Sequence, residues 1–455
     1  MKNSSTARQE KFLIGPAALD CNRGDQALMW EAIDILRKNS PHCEIAIMSD
    51  VYNDPEDKQS RQTRKLGIKV LPALLPNPRR AAKQTKNEII DSGWSLVKMK
   101  IRAALDFAQT CGLVLLSGKG MLARLLLSKE RYETYKYLQG CKALVIKGGG
   151  YIYAYRGLRW AYYIWFGLLP LMLAQKCGVS VVVLPNSLGP FDTRWGRWLA
   201  RRVLGRCKVL TAREPESYRV FNTILPGKAK LYPDMAFGLT PENPDWARTE
   251  LMRHSVPLFK KKCVGITMRP WRFPNDKYPR EKYINYVKAF AKLIEHLLYS
   301  RYAPVLFAHV IGPHAHEDDR ITIRDVLQAT SVTDRIFYVD GDYNCRQVKS
   351  LYGFMDFMIC TRFHSAIFSI AQGVPCLAVS YQGYKATGTM NEIGLEDFIC
   401  SINNVDGDSL IRAFEMLVAE QQEVKRKMLG YMSVCRERLQ DLQELIMSEI
   451  NSGPS

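Results

Sequence analysis

An α/β protein built from two doubly wound domains is expected from this sequence, on three observations. Short runs of Val, Ile and Leu recur and end in glycine or a polar residue, segments with helical spacing separate them, and a proline-rich stretch splits the runs into two series. Strands that are apolar throughout suit a parallel sheet, because both of its faces are covered by helices.

The first series is KFLIGPAA (11–18), EIAIMSD (44–50), GLVLLSG (112–118), ALVIKGGG (143–150), VSVVVLPNSLGP (179–190) and KVLTARE (208–214). The second is CVGITMRP (263–270), PVLFAHVIG (304–312), RIFYVDG (335–341), FMICTRFH (357–364) and PCLAVSYQG (375–383). Between them, residues 225–262 carry Pro226, Pro233, Pro241, Pro244 and Pro257 with weak periodicity. This places a first domain over 1–240, a linker over 241–262 and a second domain over 263–408. Leu410, Phe414, Leu417, Val418, Leu439, Leu442 and Ile446 recur at helical intervals, so 409–455 reads as two helices packed on the body. Ligands of open α/β sheets bind outside the carboxyl ends of the strands, so two such domains predict a cleft lined by residues that directly follow strands.

The chain has 455 residues, 47% hydrophobic and 24% charged, the balance of a packed globular protein. Sixty-four Lys and Arg against forty-five Asp and Glu give +19, a field that attracts anions. Phosphorylated sugars, acidic polysaccharide, anionic lipid and nucleic acid all fit that charge, as does an ordinary solvated surface. No RRM, KH or helix-turn-helix motif supports a nucleic-acid-binding protein, so that alternative rests on charge alone. Twelve cysteines lie between Cys21 and Cys435 without a C-x-x-C pair, which removes zinc-ribbon and thioredoxin spacings. His309, His314 and His316, beside Asp318 and Asp319, lack the H-E-x-x-H pattern, and neither a metal nor a cofactor is expected.

The first ten residues are polar and the apolar run after them is only Phe12-Leu13-Ile14, which predicts no signal peptide and a cytoplasmic protein. The most apolar stretch, WAYYIWFGLLPLMLA (160–174), is too short to span a bilayer and contains Pro170. It reads as a buried helix or, with Arg156 and Arg159 before it, as a helix resting at a lipid interface.

The candidate chemistry sits after strands. In Asn22-Arg23-Gly24-Asp25, Gly24 permits a turn, and Asp25 is either a helix cap or a general base that takes a proton from an attacking hydroxyl. Gly148, Gly149 and Gly150 let the backbone approach a ligand or a neighbouring segment, but no Walker or dinucleotide motif accompanies them. Arg213 can hold a carboxylate or phosphate with its planar fork, or else pair with Glu214 or Glu216. The densest group is Arg362, His364 and Ser365 with Tyr381 and Lys385, and Arg269 and Arg272 follow the first strand of the second series. A histidine between an arginine and a serine at a helix start is suited to proton transfer near neutral pH.

In this order, Asn22-x-Gly24-Asp25, Gly148-Gly149-Gly150, Leu188-Gly189-Pro190, Ala212-Arg213-Glu214 with Ser217, Asp234-x-Ala236-Phe237, Arg362-x-His364, Gly373-Val374-Pro375 and Tyr381 with Lys385 resemble the polysaccharide pyruvyl transferase family. The likeness runs from Gly15 to about Phe398, and residues 388–395 look like its bacterial exopolysaccharide branch, the colanic acid and amylovoran type. Arg23 stands where a smaller residue is common in the family. The resemblance implies a GT-B-like fold of two Rossmann-like domains facing a central cleft. It also implies phosphoenolpyruvate as donor and a cyclic pyruvate ketal on a sugar as product. By the same resemblance Arg213 and Arg362 hold donor anions and His364 takes part in the proton transfers; the reading of the residues themselves adds Lys385, Arg269 and Ser365 on the donor side and Asp25 as a base. Asn22, Gly24 and the three glycines are left for the acceptor or for loops. A donor bearing a carboxylate and a phosphate needs two or more fixed cations to offset its desolvation, which these residues supply. The expected acceptor is a lipid-linked oligosaccharide, with the protein peripheral at the inner face of the membrane. The alternatives are a nucleotide-sugar-dependent glycosyltransferase of the same architecture and a non-catalytic scaffold.

Overall fold

The computed structural model describes residues 9–16, 20–49, 54, 56–75, 93–116, 120–274, 276–381 and 384–452; for 93–99, 120–122 and 384–386 it describes the backbone alone. These residues divide into two compact units. The first comprises Met1–Asp20, Leu28–Asp234 and Leu439–Ser455, and the second Cys21–Ala27 and Met235–Arg438.

In the first unit, β1 (Lys11–Gly15), β2 (Glu44–Ser49), β3 (Lys69–Pro72), β4 (Ala143–Ile146), β5 (Gly149–Ala154), β6 (Ser180–Phe191), β7 (Val209–Ala212) and β8 (Lys230–Leu231) form one parallel sheet. Its order is β3-β2-β1-β4-β6-β7-β8, with β5 also paired to β6. Phe12, Leu13, Leu144 and Val182 are fully buried because helices cover both faces, as their unbroken apolar character requires. The apolar stretch at 160–174 lies in the helix Leu158–Lys176, where Ile164, Leu168, Leu169, Leu171 and Leu173 are fully buried. It is a core helix. Among the described residues no helix is long and apolar enough to cross a membrane.

In the second unit, β9 (Cys263–Thr267), β10 (Ala303–Phe307), β11 (Phe337–Val339), β12 (Phe357–Cys360), β13 (Cys376–Ser380) and β14 (Ile399–Ser401) form a parallel sheet in the order β11-β10-β9-β12-β13-β14. All five strand pairs are parallel. This is the doubly wound 3-2-1-4-5-6 arrangement.

Three expectations change. The first five residues of GLVLLSG are not a strand: they close the helix Gly93–Leu116, which buries Leu113 while Leu115 is exposed, and residues 117 and 118 lie outside the described residues. A short apolar run does not by itself separate a strand from a helix. The unit boundary falls at Asp234, ahead of the expected linker. Residues 241–262 are not free: the helix Pro244–Arg253 packs against Cys345–Tyr352, and the fully buried Lys349 ammonium donates to the carbonyls of Ala236, Phe237 and Leu239 at 3.1, 3.0 and 2.7 Å. Finally, Cys21–Ala27 belongs to the second unit, although it lies within the span expected for the first. The expected pair of terminal helices is Gly407–Ala419 and Gln421–Asn451.

Candidate functional site

Within the second unit, β9 and β12 are neighbours although β10 and β11 lie between them in the chain, so their carboxyl ends flank the topological switch point. Threonines and a serine tie these ends together. The Thr361 hydroxyl accepts from the Arg269 amide at 2.8 Å, and the Thr267 hydroxyl accepts from the Thr361 amide at 3.2 Å. Ser365 is fully buried, donating to the Arg362 carbonyl at 2.6 Å and lying 3.0 Å from the Thr267 hydroxyl. Its hydroxyl fixes the backbone here, in place of the donor contact expected of it.

Two arginines leave this edge with different surroundings. Arg362 donates Nε and Nη2 to one oxygen of Asp319 at 3.0 and 2.6 Å and also reaches the Glu317 carbonyl at 2.8 Å. The other Asp319 oxygen accepts the amides of His309 and Val310 at 3.0 and 2.9 Å, so the arginine is clamped from the end of β10. Burial pushes the Asp319 carboxyl up and the Arg362 charge opposes it; the same pairing holds Arg362 protonated.

Arg269 is different. Its guanidinium carbon lies 3.7 Å from the centre of the Tyr381 ring and 4.8 Å from that of Trp271, while its Nε is buried with no hydrogen-bond partner among the described residues. Among the described residues no carboxylate pairs with it. Burial and then the neighbouring Arg362 charge lower its pKa, the signature of a cation that gains from an added anion.

The loop after β1 completes the group. Asn22 bridges to Val310, the Cys21 carbonyl accepts from the Ile311 amide at 2.9 Å, and the Arg23 amide donates to the His309 carbonyl at 3.2 Å. Buried Arg23 pairs with Asp342 at 2.9 Å. Asn22 caps the helix Arg23–Asn39, its side-chain oxygen 3.1 Å from the Gly24 amide and 3.4 Å from that of Asp25. Asp25, in the first turn, is therefore not the cap. It is half-buried and accepts from the Asn22 amide group at 2.9 Å. A Cβ on Gly24 would fall 2.2 Å from Nδ1 of His364, so glycine here is what lets the imidazole lie against the loop. Behind it His309 is buried, its Nδ1 3.2 Å from the Tyr352 hydroxyl and its Nε2 with no hydrogen-bond partner among the described residues. Burial, with His364, Arg362 and Arg23 nearby, holds His309 well below the usual imidazole range, so it is neutral.

Arg213 lies in the first unit. It pairs with Asp234 at 2.7 Å and Glu214 at 3.3 Å and donates Nε to Ser187 at 2.8 Å. Two carboxylates balance its charge, in contrast to the open cation expected for donor binding. Gly148 ends the turn after β4, and Gly149 and Gly150 start β5. A Cβ on Gly148 would meet the Pro185 carbonyl at 2.9 Å, so its smallness accommodates neighbouring backbone. Arg272 is exposed, and the Lys385 side chain lies outside the described residues. The His314 and His316 rings stack 5.4 Å apart, and among the described residues no group of His, Cys, Asp or Glu is placed to hold a metal.

The polysaccharide pyruvyl transferase model matches residues 22–383. The chain belongs to that family. Its match takes in the Asn22–Asp25 loop, Arg213, Arg269, Arg362, His364 and Tyr381, and stops short of Lys385. The amylovoran biosynthesis protein AmsJ of Erwinia amylovora is 26% identical over 262 residues, which are 56% of this chain and 61% of AmsJ. Among solved structures, MnaA of S. aureus in complex with UDP is similar at TM-score 0.53 and 10% identity, covering 92% of this chain and 90% of that one. A UDP-GlcNAc 2-epimerase from Neisseria meningitidis is similar at 0.50 and 11%, covering 92% and 94%. A glycosyltransferase from Rickettsia africae is similar at 0.50 and 12%, covering 96% and 99%. At such identities the likeness concerns the fold, which is GT-B-like with two Rossmann-like domains.

For a member of the pyruvyl transferase family, the second unit thus presents an arginine on an aromatic face with no carboxylate partner among the described residues, an oriented arginine, an imidazole and a carboxylate. Such a set can bind an anion and move protons. Sequence reasoning named Arg269, Arg362, His364 and Asp25, but it read Asp319 only as part of a histidine-rich loop. Its signal was the acidic pair Asp318-Asp319 at a helix start, where one residue caps the helix and the other is freed to bind elsewhere.

Proposed function

We propose that the protein transfers the pyruvyl group of phosphoenolpyruvate to a sugar of an exopolysaccharide repeat unit, forming a cyclic ketal and releasing phosphate. Family membership supports the reaction class, and Arg269, stacked on Tyr381 beside Arg362 and without a carboxylate partner among the described residues, carries the assignment of the donor site. Arg269 holds one anionic group of the donor. Arg362, oriented by Asp319, attends the other. Arg213 is left to the first unit's own carboxylates.

His364 gives a proton to the methylene carbon, and C2 becomes electrophilic. A sugar hydroxyl bonds to C2 as its proton passes to Asp25. The C2–O bond to phosphate then breaks with its electron pair, and a second hydroxyl closes the ketal. The second hydroxyl's proton restores His364, and the proton held by Asp25 leaves with phosphate, so both groups are reset. The acceptor we assign is a lipid-linked oligosaccharide at the cytoplasmic face of the membrane.

The test is incubation of the protein with phosphoenolpyruvate and a panel of lipid-linked sugars, reading released phosphate and product mass. Phosphate should appear only with both substrates present. His364→Ala should lower turnover by about 10²-fold or more while donor affinity changes little. Unchanged turnover would remove His364 from the mechanism, and protection by a nucleoside diphosphate in place of phosphoenolpyruvate would favour nucleotide-sugar transfer.

A further inference from the structure

The helix Arg194–Leu204 of the first unit turns Gly196, Leu199, Ala200, Val203 and Leu204 inward. Its outer face carries Arg194, Arg197, Arg201 and Arg202, and the helix contains no acid. Between these arginines stand Trp195 and Trp198, 38% and 56% exposed. Tryptophan is usually well buried, and two on the solvent face of one short basic helix call for a partner.

The patch extends beyond the helix. The Asp192 amide donates to the Ala154 carbonyl at 2.9 Å, and a Cβ on Gly196 would lie 3.5 Å from that of Ala154, so the helix start adjoins the segment after β5. There Tyr155 and Leu158 are 44% and 88% exposed, with Arg156 and Arg159 exposed beside them. Among the described residues of these two segments stand six arginines and one exposed acid, Asp192.

We infer that this face docks on a bilayer with anionic headgroups. Arginines on a helix that presents aromatic side chains to solvent meet both demands of such a surface: guanidinium groups pair with headgroup phosphates, and indole and phenol rings settle at the boundary between headgroups and acyl chains. A second copy of the chain is a poor occupant, since six arginines would face six. A nucleic acid would satisfy the charge alone and leave Leu158 in water.

The inference does not depend on the proposed chemistry, because it is read without donor or acceptor. The full-length protein is sedimented with vesicles of phosphatidylcholine, alone or mixed with phosphatidylglycerol, and tryptophan emission is followed with brominated lipids. Binding should require phosphatidylglycerol, weaken with salt and be accompanied by quenching. Trp198→Ser should reduce the quenching. Arg201→Glu with Arg202→Glu should reduce partitioning by about tenfold or more, with an unchanged thermal melt. Failure of the wild-type protein to bind the anionic vesicles, equal binding to neutral ones, or wild-type binding by the arginine variant overturns it. RNA binding lost in the same variants, without vesicle binding, assigns the face to nucleic acid instead.

Discussion

Arg269 and Arg362 leave adjacent strands, yet among the described residues only Arg362 pairs with a carboxylate. Asp319 occupies both bonding nitrogens of Arg362, whereas Arg269 has aromatic faces, a buried Nε and, among the described residues, no carboxylate. A bound anion therefore changes the energy of Arg269 more, because it relieves a cation that folding has partly desolvated. Arg269→Met should weaken phosphoenolpyruvate binding by about tenfold or more, measured by calorimetric titration, since a charge-assisted hydrogen bond is lost with the charge. Arg213→Met should act on stability instead, because it strands Asp234 and Glu214 in the first unit.

The segment after β8 shows why a proline-rich stretch need not be a tether. The short 3-10 helix Met235–Phe237 ends in carbonyls aimed at Lys349 from the helix Cys345–Tyr352, which gives the buried ammonium three acceptors and anchors the stretch. Lys349→Met should destabilise the second unit by about 3 kcal/mol in urea unfolding, the cost of leaving those carbonyls unpaired. Periodicity and prolines alone could not reveal this, because the partner lies far along the chain. The apolar runs of β1, β6, β9 and β12 could be read directly from sequence, as could the placing of Arg362 and His364 behind β12. β3 ends in Pro72, and β8 is two residues long, so neither carries enough pattern to be seen. The Asn22–Asp25 loop was recognisable as a motif, but its bridge to Val310 depends on tertiary pairing that no local signal encodes.

The molecule is divided without respect for chain order: the backbone passes between the two units at Asp20, Ala27, Asp234 and Arg438. The loop that lays Gly24 against His364 is thus a short insert from the N-terminal region into the second unit. In native-state hydrogen exchange with added denaturant, the Arg23 and Ile311 amides should open with the same free energy, since each bonds across that insert. Separate opening, with Arg23 following the amides of β1 instead, would contradict this division.

The same threading sets an order of assembly on the ribosome. Residues 21–27 emerge well before Val310 and Asp342, to which they bond, so this loop must wait, unpaired, for most of translation. The first unit waits longer still, for the stretch from Leu439 onward, so neither unit can close while much of the chain remains to be made. Nascent protein of this kind therefore exposes two unfinished cores together, and a slowed ribosome or a missing holdase should cost it more yield than a chain whose domains mature one after the other.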